Sequence, residues 1–118
     1  MSLNDLLRDL VYGSGALGAM VMDEDGISLD EFLCDDQFDL QGCAVEYVSA
    51  IRETRHATTL LESGGVEEMA ILSETLRVLI RTIAGGLVLL LVQAADGNYG
   101  KARYLMRRDL HKFQELLA

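Results

Sequence analysis

Three stretches of this chain carry residue types that could do chemistry. Gly13-Ser14-Gly15-Ala16-Leu17-Gly18 matches Gly-x-Gly-x-x-Gly, the pattern of a turn that cradles a pyrophosphate. Such a turn works when a strand enters it and a helix leaves it, because the helix N-terminal N–H groups then meet the phosphates. Here the flanks run the other way: the amphipathic LNDLLRDLV precedes the glycines and the apolar Ala16 to Met22 follows. These glycines are therefore expected to stop a helix and let Gly18 and Ala19 pack closely in a sheet. Gly100-Lys101 looks like the end of a phosphate loop. However, Ala95 stands where that loop needs glycine, and Ala102 where it needs a magnesium-binding hydroxyl. Asp23-Glu24-Asp25-Gly26 has the acids of a calcium loop but lacks the bidentate glutamate near its end. Asp25-Gly26 between apolar runs instead suits the positive φ angles of a tight hairpin.

The remaining reactive side chains are scattered. Cys34 and Cys43 have no Cys-x-x-Cys spacing and no histidine neighbours, so they read as reduced thiols of a cytosolic protein. His56 and His111 sit singly in helical stretches with no nucleophile or carboxylate array around them. Arg77 and Arg81 alternate with Val78 and Ile80, a spacing for cross-strand pairing with Glu67 or Glu68. No residue is assigned a catalytic, cofactor-binding or metal-binding role. The expectation is a protein that is not an enzyme and uses no cofactor.

The elements that must position these residues follow from periodicity. Asn4 or Ser2 can cap a first helix, whose buried face is Leu3, Leu6, Leu7, Leu10 and Val11. A strand is expected over Ala16–Met22, a turn at Asp23–Gly26, and an edge strand over Ile27–Leu33, where polar and apolar residues alternate. Asp39 caps a long second helix running to about Leu61, with Leu40, Cys43, Ala44, Tyr47, Val48 and Ile51 inward. Strands are expected over 66–73, 75–84 and 86–94. Leu87–Val92 does not alternate, so that strand is buried on both faces and helices cover both sides of the sheet. The last helix starts near Asn98 and buries Ala102, Met106, Leu110, Phe113 and Leu117. Arg107, Arg108 and Lys112 are placed to meet its dipole. The order α-β-β-α-β-β-β-α in one domain, residues 1–118, predicts a mostly antiparallel five-stranded sheet in a three-layer α/β/α sandwich.

Composition narrows the function. With 118 residues, half of them apolar, the chain can bury a core without disulfide or metal. Its longest apolar run, Leu87 to Val92, is far too short to span a bilayer. The start MSLNDLLRDL has neither the basic opening nor the cleavage site of a signal peptide, so a cytoplasmic location is expected. The net charge of −9 resides entirely in residues 1–60, with twelve acids against three bases; residues 61–118 hold seven of each. That balance argues against nucleic acid or an anionic membrane as partner.

Three segments carry a likeness to a known family: GALGAMVMDEDGISL (Gly15 to Leu29), GGVEEMAILSETLRVLIRTIAGGLVLLLV (Gly64 to Val92) and NYGKARYLMRRDLHKFQELL (Asn98 to Leu117). They supply a Gly/Ala strand, an Asp-Gly turn with its returning strand, and a Gly-x-x-Arg opening of the last helix at Gly100 and Arg103. In this the chain resembles the roadblock/dynein light chain family and, within it, the bacterial MglB-like branch. The resemblance implies a profilin-like fold with strand order 2-1-5-4-3. It also implies a homodimer in which third strands pair and second helices lie side by side. Family members are non-enzymatic platforms: some bind Ras-like small GTPases (MglA-like ones in bacterial polarity and motility), others are motor or scaffold subunits. On that frame the dimer interface is expected at Met69, Ile71 and Leu72. The partner surface is expected at Glu46, Ser49, Glu53 and His56, with Gly42 and Ala50 small enough to admit another backbone.

Overall fold

The sheet is built outward from its most apolar strand. The computed structural model describes residues 1–118. In chain order the elements are α1 (Leu3–Ser14), β1 (Gly18–Met22), β2 (Ser28–Leu33), α2 (Leu40–Leu60), β3 (Glu68–Leu72), β4 (Leu76–Thr82), β5 (Val88–Ala94) and α3 (Tyr99–Leu117). β5 lies at the centre of a five-stranded sheet of order β2-β1-β5-β4-β3, and every neighbouring pair is antiparallel. This is the expected α-β-β-α-β-β-β-α order and strand arrangement. Each strand is one to three residues shorter than the expected range, because the ends bend into turns. Gly85 and Gly86, both at positive φ, make the β4–β5 turn, and the Ser73 N–H donates back to the Leu76 carbonyl to close β3–β4.

Alternation along the strands sorts the core into two layers. Leu89 and Leu91 of β5 point with Leu79, Ala19 and Val21 towards α1 and α3, whose Leu7, Leu10, Val11, Ala102, Met106 and Phe113 fill that side. Val88, Leu90 and Val92 point with Met20, Met22, Val78 and Ile80 towards α2, which supplies Leu40, Ala44, Val48 and Ile51. Gly18 permits a close approach in this stack: a β-carbon there would lie about 3 Å from Leu33, Leu40 and the Phe32 carbonyl.

Local capping agrees with the residue types. Ser2, not Asn4, caps α1, in a reciprocal box with Asp5. Gly15, at φ 68°, ends that helix. The Gly-x-Gly-x-x-Gly stretch is thus a helix stop leading into a strand. Asp23 Oδ1 accepts the N–H groups of Asp25 and Ile27, and Gly26 takes φ 81°, so the acidic turn is folded on itself.

α3 differs from the expectation in two respects. Leu105 and Asp109 are buried in addition, while Leu110 and Leu117 are only half-buried. The helix runs to Leu117, so its last turn contains no base. Arg108 and Lys112 instead pair with Asp109, which keeps a largely buried carboxylate charged. Burial pushes the Asp109 carboxyl up, but the hydrogen bonds and charge of Arg108, joined by Lys112, together outweigh it and hold the group below the usual aspartate range.

Candidate functional site

α2 presents the expected outward face. Asp39 accepts the Gly42 N–H at 2.9 Å and starts the helix. The inward stripe ends at Ile51, and no residue beyond it in α2 is buried. Glu46, Ser49, Glu53 and His56 are all exposed and recur every three to four residues, so they form one stripe opposite the buried one. Val45 is exposed beside them, and Leu60 and Leu61 at the helix end are 70% and 76% exposed. The structure therefore brings the four named residues together on one face, next to apolar surface that the chain itself leaves uncovered. Gly42 and Ala50 are half-buried in the same helix.

The two edges of the sheet are not equivalent. On β2 the outward N–H of Glu31 donates to Asp30 Oδ1 (2.8 Å) and its carbonyl accepts from Asn4 Nδ2 (3.1 Å), so side chains occupy the middle of that edge. α1 leans on it, with Tyr12 edge-on to Phe32 at 5.4 Å. On β3 the Glu67 carbonyl and the Ser73 N–H both face β4. Ladder alternation then turns the N–H and C=O groups of Glu68, Ala70 and Leu72 outward, with no side chain over them. Of the three residues expected at a dimer interface, Met69 and Ile71 are half-buried against the α2 layer. Leu72 points to the other face and is 55% exposed. All three lie on this bare strand, but alternation divides them between the two sides of the sheet.

β3 is tied to α3 by charge. Glu68 Oε2 accepts from both Nε and Nη2 of Arg103 (2.9 and 2.7 Å), and Arg81 Nη1 lies 3.3 Å from Oε1. The expected Arg81–Glu68 pair is present, whereas Arg77 donates to the Ser73 carbonyl and meets no acid. The part played by Arg103 was not legible in advance, since it and Glu68 are 35 residues apart. Hydrogen bonds from Arg103 hold the Glu68 carboxyl below the ordinary glutamate range, opposed by burial and assisted by both guanidinium charges. A carboxyl lowered in this way stabilises the fold above its unfolded value of about 4.3 and loses that contribution as pH falls through the folded value. Glu68→Gln is therefore expected to lower Tm at pH 7 by a few degrees and to flatten the loss of Tm below about pH 4.3. Thermal melts between neutral and acid pH check this; parallel curves for the two proteins would contradict it.

The other candidate groups are separated. Arg52 binds Asp25 and the Glu24 carbonyl, and Arg55 lies 3.8 Å from Glu24, so the acids of the β1–β2 turn are engaged by α2. Cys34 is exposed and Cys43 half-buried; burial, then the Asp39 carboxylate, pushes the Cys43 thiol up. His56 lies on α2 and His111 on α3, on opposite sides of the sheet. No three His, Cys, Asp or Glu side chains converge to hold a metal ion.

No family model and no curated protein matches the chain. Solved structures do. MglC from Myxococcus xanthus is 36% identical over 98% of both chains, with a TM-score of 0.70. Myxococcus xanthus MglB superposes with a TM-score of 0.87 at 10% identity, over 97% of this chain and 86% of that one. The roadblock/LC7 domain from Streptomyces avermitilis gives 0.84 at 16% identity, over 99% and 98%.

Proposed function

This chain belongs to the roadblock/LC7 family, and from that premise we propose that it is a non-enzymatic homodimeric platform that binds and regulates a Ras-like small GTPase. The observation that carries the reading is the contrast between edges: β2 is closed by Asn4 and Asp30, while β3 is bare. Pairing two β3 strands about a two-fold axis would satisfy the free backbone groups and give a continuous ten-stranded sheet. The same operation brings two α2 helices together on one side. Leu60 and Leu61 then gain cover, and Glu46, Ser49, Glu53 and His56 form a joint surface for a partner.

A second reading, a structural adaptor without effect on GTP hydrolysis, is favoured by one feature of α2. Its two arginines, Arg52 and Arg55, both pair with acids of the β1–β2 turn, so neither stands unpaired for a transferring phosphate. Measuring the partner's GTP hydrolysis with and without this protein separates the two readings.

Binding itself is tested by titrating the host's Ras-like GTPases, loaded with GDP or a non-hydrolysable GTP analogue, in a calorimeter. Glu46→Arg with Glu53→Arg is expected to weaken binding about tenfold or more, since two rim charges at about 1 kcal/mol each are reversed. Tm should stay nearly constant because both side chains are exposed. Raised salt should weaken the wild-type complex in the same direction. Unchanged affinity in the double variant would move the docking site to the face formed by α1 and α3. Saturable nucleotide binding by the isolated protein would sink the non-enzymatic reading.

A further inference from the structure

The outer face of α3 carries a second surface, independent of the α2 platform. A groove of about 550 Å³ is lined by Tyr99, Gly100, Arg103, Tyr104, Arg107 and Arg108. Its walls are two i, i+4 ridges, Tyr99–Arg103–Arg107 and Gly100–Tyr104–Arg108, and Gly100 leaves the floor open at one end. No acid lines it. The two carboxylates that partner its arginines are withdrawn: Asp109 is buried, and Glu68 sits on β3 with its side chain 18% exposed. Arg103 and Arg108 each bind their acid through Nε and Nη2, which leaves Nη1 without a partner and fixes the guanidinium plane. Arg107 has no ionic partner at all. α3 as a whole has five bases against two acids in a chain of net charge −9.

We propose that this groove docks an acidic segment of a partner protein in extended conformation. Tyrosine and arginine are the side chains that most often anchor interfaces, and arginines already held in place lose less entropy on binding. The spacing selects the segment. Arg103 and Arg107 lie about 6 Å apart along the helix axis. Alternate side chains of an extended chain repeat at about 6.6 Å, so carboxylates at every second residue meet successive guanidinium groups. A short segment senses the local positive potential within a Debye length of about 8 Å. A long polyanion or an anionic membrane would also meet the acidic first half of the chain.

The test uses the full chain and a fluorescein-labelled peptide of alternating Glu and Ala, followed by anisotropy. Binding should weaken as salt rises, and the Gln/Ala counterpart should bind at least about tenfold more weakly, the loss of one charged pair. Arg107→Glu should reduce peptide affinity by a similar factor with Tm nearly unchanged. Arg107→Lys, which keeps charge but not the fork, should fall between. Glu53→Arg on α2 should leave peptide binding intact. Equal binding of the two peptides, or indifference to Arg107→Glu, overturns the proposal. It is likewise overturned if phosphatidylglycerol vesicles bind through Arg107 and the peptide does not. Growth beyond the dimer that Arg107→Glu abolishes would assign the groove to a second copy instead.

Discussion

Ala70→Pro is expected to yield a folded monomer. Ala70 sits in the middle of β3, where ladder alternation points its N–H away from β4. Proline is tolerated at such an edge position because no bond within the chain is lost. Across a two-fold β3–β3 junction, however, the substitution acts twice. Two hydrogen bonds at about 1 kcal/mol each correspond to roughly a thirtyfold weaker dimer, before the clash of the two rings is counted. Light scattering should show a dimer for the wild type and half that mass for the variant at the same micromolar concentration. Circular dichroism should show the same secondary structure for both. A wild-type monomer, or a variant that remains dimeric, would remove the β3 junction and with it the paired α2 surface. An unfolded variant would mean that the Ala70 N–H bonds within the chain, and so would contradict the edge assignment directly.

Phe113→Ala is expected to be the most destabilising single truncation on the α1/α3 side. Phe113 has no exposed surface and is among the largest side chains fully enclosed by α1, α3 and the sheet. Phe→Ala in a core costs about 3–5 kcal/mol through lost transfer energy plus the cavity left behind. That is a large share of a typical stability of about 5–15 kcal/mol, and corresponds to a fall in Tm of roughly 10–30 °C. Leu116→Ala, three residues along the same helix but 43% exposed, should change stability by no more than about 0.5 kcal/mol. Urea denaturation of the two variants gives the comparison. Similar midpoints would mean that α3 does not pack as described.

Much of this architecture is legible in the sequence. Period-3.6 stripes placed three helices; of their inward residues on α1 and α2, Leu6, Leu7, Leu10, Val11, Leu40, Ala44, Val48 and Ile51 are buried, while Leu3, Cys43 and Tyr47 at the margins of the stripes are half-buried. Asp25-Gly26 and Gly85-Gly86 marked two turns, and Gly26, Gly85 and Gly86 all take positive φ in the fold. The unbroken run Leu87–Val92 could only be a strand covered on both sides, and β5 is that strand. The outward stripe Glu46, Ser49, Glu53 and His56 also followed from helical periodicity alone.

What stayed hidden depends on contacts between residues far apart in the chain. Alternation marked β2 as an edge and the family's strand order implied the same for β3, yet neither told that Asn4, 27 residues from Glu31, would close one edge and leave the other open. The bases of α3 read as partners of a helix dipole. Only the packing of α3 over the sheet turned Asp109 inward, set Arg103 on Glu68, and left an arginine- and tyrosine-lined groove with no acid facing it. Periodicity is a property of neighbours along the backbone, so sequence determined the elements and their buried faces. Edge protection and charge pairing depend on the register and distance between elements, which only the assembled layers fix.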